Sequence, residues 1–297
     1  MRINFTKMHG VGNDFIVFEV PAGAPLPNAE QLRRLADRHT GIGFDQALVL
    51  ESPRRADTAV FYRIFNSDGV EVEQCGNGAR CIAALVHGRQ RMNGEAFTLD
   101  SPGGLIRAKV QADGLVCVDM GVPSFDPRSL PFEAPAPALT YALEVDGESV
   151  EIGAVSMGNP HAVLRVASID TAPVERWGPL IESHPRFPKR VNVGFMEIVD
   201  RSHIRLRVYE RGAGETLACG TGACAAVALG RRLGLLDENV RVIVRGGELR
   251  VNWAGGQRSP RAQDAIAGSA LARGEEEAEH IWLTGPAEVS FVGHVEV

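Results

Sequence analysis

Two cysteines head almost the same phrase, Cys75-Gly-Asn-Gly-Ala-Arg-Cys81 and Cys219-Gly-Thr-Gly-Ala-Cys224. A helix-like run follows each, Ala79-Arg-Cys-Ile-Ala-Ala-Leu-Val in the first and Ala223-Cys-Ala-Ala-Val-Ala-Leu in the second. Each leading cysteine is therefore expected at or just before a helix N-terminus, where unpaired backbone N–H groups favour negative charge. A thiol placed there ionises more readily than a free one. Two such thiols facing one another across a cleft have the means to take a proton from one face of a carbon and return one to the other. That chemistry inverts a stereocentre.

The repetition reaches beyond the cysteines. Asn66 and Glu210 precede their cysteines at equal spacing, each closing a strand-like run, Val60-Phe-Tyr-Arg-Ile-Phe65 and Ile204-Arg-Leu-Arg-Val-Tyr209. Gly12-Asn13-Asp-Phe matches Gly158-Asn159-Pro-His, and Gln46 matches Asn192 at that same offset. Polar pairs in constant order imply two half-chains of similar topology. Their amides and carboxylates suit hydrogen bonding to a small ligand with several polar groups.

The elements that must carry these residues are mostly strands. Apolar runs at Phe15–Val20, Val60–Phe65, Leu105–Val110, Val116–Met120, Ile152–Val155, Val163–Val166, Ile204–Val208, Val240–Val244 and Leu249–Trp253 outnumber the helices. Helices are expected at Asn28–Arg38 with Asn28 as N-cap, after each cysteine motif, and at Pro173–Glu182 with proline in the first turn. The fold class is α+β. A chain of 297 residues is long enough for two ordinary domains. The expected division is 1–120, completed by a terminal strand at 284–297, and 121–283. The proline-rich stretch Pro123–Pro137 marks the boundary, and an insertion is expected at about 255–280, where the chain turns polar and small.

A net charge of −6 and the absence of any basic run argue against a nucleic-acid partner. With no signal-type or membrane-spanning apolar stretch, a soluble cytoplasmic protein with no membrane partner is expected. Five cysteines make an odd count that argues against a disulfide framework. Cys81, Cys117 and Cys224 fall in apolar surroundings and read as small core residues. The spacing of the cysteine pairs is too wide for a structural zinc site, so no metal is expected. Gly76-x-Gly78 and Gly220-x-Gly222 are only part of a dinucleotide fingerprint, and there is no P-loop. Lys7, Lys109 and Lys189 all lie outside a phosphate-binding glycine context, so no pyridoxal cofactor is expected. The chemistry falls to protein groups alone.

Taken together, Met8-His-Gly-x-Gly-Asn-Asp-Phe, Asn66-Ser-Asp-Gly, the two cysteine phrases, Gly158-Asn-Pro-His-Ala-Val, Glu210-Arg-Gly-Ala-Gly-Glu-Thr and Thr284-Gly-Pro-Ala resemble the motifs of the diaminopimelate epimerases. The likeness covers almost the whole chain. It implies a cofactor-independent enzyme that interconverts LL- and meso-diaminopimelate, on the route to lysine and peptidoglycan. It also implies two pseudo-symmetric domains, each a mixed β-barrel around a central helix, with the last strands returning to complete the first domain. Cys75 and Cys219 would be the catalytic pair, tuned by His161 and Glu210. Asn13, Gln46, Asn66, Asn159, Asn192, Glu210 and Arg211 would hold diaminopimelate, Arg211 gripping the distal carboxylate with its planar fork. Backbone donors at Gly76-Asn77 and Gly220-Thr221 suit the charge that grows on the reacting carboxylate. The resemblance implies a homodimer as well, with Phe291 of the terminal strand suited to an interface. Gly256–Glu279 departs from the family pattern.

Three other readings stay open on sequence alone. A proline or hydroxyproline racemase shares the thiol pair, but the amide-rich set and Arg211 suit a second amino-acid head better than a compact ring. A phenazine-type isomerase of similar architecture lacks the two thiols. A binding protein would need the amides and have no use for thiols at helix starts.

Overall fold

Strands whose apolar residues are buried on both faces wrap one helix in each half of the chain. The computed structural model describes residues 2–20, 25–72, 75–90, 95–256 and 279–296. It divides into two compact units, Met1–Asp119 with Thr284–Val297, and Met120–Leu283. Among the described residues four α-helices, α1 (Ala29–Ala36), α2 (Gly76–Gln90), α3 (Val174–Glu182) and α4 (Gly220–Arg232), accompany the strands.

In the first unit, strand Arg2–Gly10 pairs antiparallel with both Asn13–Glu19 and the returning strand Glu288–Glu296. Asn13–Glu19 runs parallel to Gln46–Glu51, which pairs antiparallel with Phe61–Asn66. Phe97–Ser101, Gly104–Val110 and Val116–Asp119 continue as an antiparallel meander. Ile16, Phe18, Ala47 and Val49 pack under Leu32, Leu35 and Ala36 of α1. The alternate residues Phe15 and Leu48 face Gly78 of α2. Period-two alternation with both faces covered explains the unbroken apolar runs. Helix α2 is buried from Gly76 to Ala83.

The second unit repeats the plan. Glu148–Ser156 pairs antiparallel with Pro160–Arg165, which runs parallel to Asn192–Asp200, which in turn pairs antiparallel with His203–Glu210. Tyr141–Val145 flanks this set, and the hairpin Asn239–Val244 with Gly247–Asn252 extends it through a parallel pairing with His203–Glu210. Val193 and Phe195 pack with Val174 and Ile181 of α3, while Gly153 and Val208 face α4. Helix α4 is buried from Gly220 to Arg231. A helix this enclosed needs small residues where strands cross it. A Cβ at Gly153 would lie 2.3 Å from Cδ1 of Leu229.

Local signals explain the ends of the elements, and in places overrule the sequence expectations. Asn28 and Gln31 form a reciprocal cap on α1, each side chain bonding the other's backbone N–H at 2.9 and 2.8 Å. The helix stops at Ala36, short of the expected Arg38, because Asp37 turns its carboxylate onto the N–H groups of His39 and Thr40. The proline-rich stretch belongs to the second unit, where Leu130 and Phe132 join the core. The units divide ahead of it. Cys117 departs from a core position, since Val116 and Val118 take the buried face of their strand and leave it half-buried between them. Of the insertion expected at about 255–280, residues 257–278 lie outside the described residues. Among the described residues no helix is long and apolar enough to cross a membrane.

Candidate active site

Each unit turns the same end of its strands toward the start of its enclosed helix. In the first unit the hairpin turn before Asn13 is made by Val11 and Gly12, both at positive φ (50° and 87°). This two-residue turn matches the twist of the flanking strands. Gln46 stands beside Phe15 in register and opposite Asn66. In the second unit Gly158, at φ 84°, leads into Asn159, and Asn192 stands beside His161 in register. Asn66 and Glu210 end their strands, and Cys75 and Cys219 immediately precede α2 and α4. Topology alone thus gathers the matched polar residues within each half.

Around Cys75 the contacts are specific. The Gly78 N–H donates to the Cys75 Sγ at 3.4 Å, and the Sγ lies 3.8 Å from the Asn13 Oδ1 that accepts from it. Asn77 Nδ2 donates to the same Asn13 oxygen at 3.2 Å. Asn13 is turned this way because its Nδ2 donates to Asp45 at 2.9 Å. Asp45 itself is held by Arg38, which also grips Asp14 through two bonds. Burial opposes charge on Asp14, but Arg38 and Lys7 outweigh it and hold the carboxyl well below the usual carboxylate range. Gln46 donates to Asn66 Oδ1 at 2.9 Å, and its own buried Oε1 has no partner among the described residues. A buried acceptor of that kind calls for a partner from outside the chain, water included.

Arg80 of α2 is fully buried. Its guanidinium donates to Asn77 Oδ1 at 2.9 Å and to the Gly76 and Pro286 carbonyls at 3.4 Å. It fixes the Asn77 amide from inside the unit. Gly78 sits in a tight place, where a Cβ would meet the Leu48 side chain at 3.1 Å and Cys75 at 3.5 Å. Gly222 is its counterpart, with Val208 at 3.1 Å and the Cys219 Sγ at 3.4 Å. The glycine three residues after each cysteine thus lets strand and thiol approach the helix closely.

In the second unit Thr221 Oγ1 lies 3.5 Å from the Cys219 Sγ and accepts from Asn159 Nδ2 at 3.2 Å. Asn159 Oδ1 faces His161 Nε2 at 3.0 Å. His161 is fully buried, and burial together with the Arg211 charge lowers its pKa to about 3. The ring is therefore neutral, with Nε2 as the donor and Nδ1 as a buried lone pair without a partner among the described residues. Glu210 accepts from Thr216 at 2.5 Å. Asn192 is buried and uses both ends of its amide inside the unit, donating to the Pro160 carbonyl and accepting the Arg211 N–H at 2.9 Å. The Arg211 side chain is exposed and donates to the Lys189 carbonyl at 3.1 Å.

Eased ionisation at a helix start does not hold for Cys219. Its thiol is pushed well above the ordinary range, by burial first and then by the nearby Glu210 charge. The Thr221 hydroxyl and the Gly222 N–H oppose this shift without overcoming it. Burial also raises Cys81, to about 12. Sequence reasoning did not single out Asp45 or Glu182. Asp45 had a signal in its place next to Gln46. Glu182 had none, being an ordinary acid at the end of α3.

The family model for diaminopimelate epimerase matches residues 5–125 and 153–262. The chain belongs to the diaminopimelate epimerase family. A diaminopimelate epimerase of Thioalkalivibrio sulfidiphilus is 52% identical over 298 residues, covering 100% of both chains. Another, of Nitrosomonas europaea, is 51% identical with the same coverage. Among solved structures, a phenazine biosynthesis protein of the PhzF family from Bacillus anthracis is 18% identical, with a TM-score of 0.68 over 100% of both chains. A hydroxyproline epimerase from Agrobacterium vitis, with bound trans-4-hydroxy-L-proline, is also 18% identical, with a TM-score of 0.65 over 99% of this chain and 92% of the other. These distant structures share the family's fold of two pseudo-symmetric domains.

Proposed function

We propose that the protein is an isomerase that interconverts LL- and meso-2,6-diaminopimelate in lysine and peptidoglycan precursor synthesis, in the cytoplasm and without a cofactor. The observation that carries this reading is the doubled half-site, a cysteine directly before an enclosed helix in each unit of a chain from this family.

The α-hydrogen of an amino acid is very weakly acidic, so its removal requires stabilisation of the carbanion and of the charge that passes to its carboxylate. Backbone N–H groups at Gly76-Asn77 and Gly220-Thr221 are fixed donors at two helix starts and supply that stabilisation. One cysteine, as thiolate, takes the α-hydrogen as a proton. The other, as thiol, delivers its own proton to the opposite face of the carbanion. The product leaves inverted, and the two cysteines exchange protonation states. Asn13, Gln46, Asn66, Asn159 and Asn192 orient the substrate or the groups that hold it. Glu210 and His161 set the electrostatic surroundings of Cys219. Arg211 meets the second carboxylate, which favours diaminopimelate over a compact cyclic amino acid.

Incubation with LL-diaminopimelate in heavy water tests the reading. Inversion with deuterium at the α-carbon is expected, and Cys75→Ala or Cys219→Ala removes it while the chain stays folded. Inversion of proline with no effect on diaminopimelate refutes the substrate assignment, and near-normal turnover in both directions by either variant refutes the two-base mechanism.

The chain pairs with a second copy through its terminal strand, where Phe291 and Val292 are 50% and 73% exposed. Sedimentation of wild type and Phe291→Glu decides this, with a dimer expected for the first and a monomer for the second.

A further inference from the structure

The turn that carries Arg211 is held from below by a buried carboxylate. Strand His203–Glu210 reverses into Gly214–Thr216 with Glu210 opposite Gly214, and the Ala213 N–H returns to the Glu210 carbonyl at 3.1 Å. This geometry turns the N–H groups of Arg211 and Gly212 away from the hairpin. Asn192 Oδ1 takes the first at 2.9 Å, and Glu182 Oε1 takes the second at 2.9 Å. Glu182 ends α3 and is only 2% exposed. Its other oxygen accepts from Arg190 at 2.6 Å, and its carbonyl accepts the Val191 N–H. One carboxylate thus ties the end of α3, the chain leading to Asn192 and the turn after Glu210 to a common point. Gly212 stands at φ 77°, so the turn has no rigid side chain of its own there to hold it.

The first unit holds its matching turn differently. There the Ser67 N–H goes to the Asp45 backbone carbonyl, and Arg33 of α1 donates to the Asp68 carbonyl at 3.1 Å. A cation grips a carbonyl in that half, and a buried carboxylate grips an N–H in this one. The carboxylate clamp accompanies the half whose turn bears the arginine.

We propose that Glu182 is a positioning residue for Arg211, setting where the guanidinium stands to receive the substrate's second carboxylate. This rests on the reading of Arg211 under Proposed function. A buried charge-assisted bond to backbone is stronger than a neutral one, which suits it to hold a glycine-containing turn.

A double-mutant cycle on the full chain tests the proposal, using Glu182→Ala, Glu182→Gln, Arg211→Ala and the double alanine variant with LL-diaminopimelate. Glu182→Ala is expected to raise KM about tenfold with kcat within about threefold, and to add less than about twofold in the Arg211→Ala background. Glu182→Gln, whose amide oxygen still accepts from Gly212, restores most of the KM. Full additivity in the cycle, or a glutamine variant as impaired as alanine, overturns the proposal. If the alanine variant fails to fold, Glu182→Asp takes its place, since it keeps the charge and withdraws the acceptor by one methylene.

Hydrogen exchange of the segment 207–216, read by mass spectrometry, supplies an arm independent of turnover. Faster exchange in the alanine or aspartate variant supports the clamp, and unchanged exchange removes it. Should wild type leave diaminopimelate untouched, the functional reading falls, and this arm still decides whether Glu182 holds the turn.

Discussion

Acidification should cost the wild-type chain more stability than a variant that lacks the His161 imidazole. An imidazole in the unfolded chain titrates near 6.5, whereas burial and the Arg211 charge lower the folded value to about 3. Below pH 6.5 the unfolded state therefore binds a proton that the folded state refuses, and stability falls with pH until the folded ring also titrates. Between pH 7.5 and pH 5 the loss amounts to about 2 kcal/mol, and by pH 3 it reaches about 4 kcal/mol. His161→Gln offers Asn159 Oδ1 a donor that does not titrate. Acid-sensitive carboxylates such as Asp14 weaken both proteins alike and cancel in the comparison. Urea unfolding at pH 7.5, 6.5, 5.5 and 5.0 yields the two slopes. Wild type should lose about 2 kcal/mol more than the variant across that range. Equal losses, within about 0.5 kcal/mol, would show that the folded ring accepts its proton as readily as the unfolded one, and the neutral tautomer assigned to His161 would be wrong.

Gly153→Ala should destabilise the chain by about 1–3 kcal/mol in urea unfolding, because the added Cβ meets Leu229 at 2.3 Å in a fully packed interior. Alkylation of Cys219, followed by peptide mass, should be slow at neutral pH and rise roughly tenfold per pH unit through pH 9, with Glu210→Gln accelerating it at fixed pH. Arg211→Lys should raise KM by about one to two orders of magnitude, since a point charge replaces a bidentate grip worth about 1.5–3 kcal/mol. An unchanged KM in that variant would remove Arg211 from the substrate site. Activity should survive dialysis against a chelator and treatment with carbonyl-trapping reagents, and restoration of lost activity by added metal would refute a mechanism run by protein groups.

What was legible in the sequence follows from how far each signal reaches along the chain. The helix starts at Cys75 and Cys219 were legible because glycine-rich turns and small apolar runs are local signals. The strands around them were legible because burial on both faces leaves unbroken apolar runs. The end of α1 was missed because an aspartate one residue past the helix competes for the backbone, a contest that apolar periodicity does not register. The burial of Arg80 was not legible because its acceptors include the Pro286 carbonyl, near the far end of the chain. The amide of Asn13 owes its direction to Asp45, and the turn at Gly212 owes its position to Glu182. No motif contains those partners together, so the residues were visible while their orientations were not.

The same limit explains the misjudged thiol, and it bears on the chemistry. Two copies of one scaffold would give two thiols of equal basicity if the surrounding side chains were also copied. The copies diverge where they touch sulfur. Cys75 meets the Asn13 amide oxygen and the Gly78 N–H, while Cys219 lies buried near the Glu210 carboxylate at the position that Asn66 fills in the other half. A carboxylate beside a buried thiol disfavours the thiolate there and holds the proton on Cys219. Glu210→Asn, which would make the second half resemble the first at that point, should therefore bring the two thiols toward equal reactivity. Comparing alkylation of Cys75 and Cys219 across pH in wild type and variant reads this directly, and a Cys219 profile unmoved by the substitution would show that burial alone sets its proton.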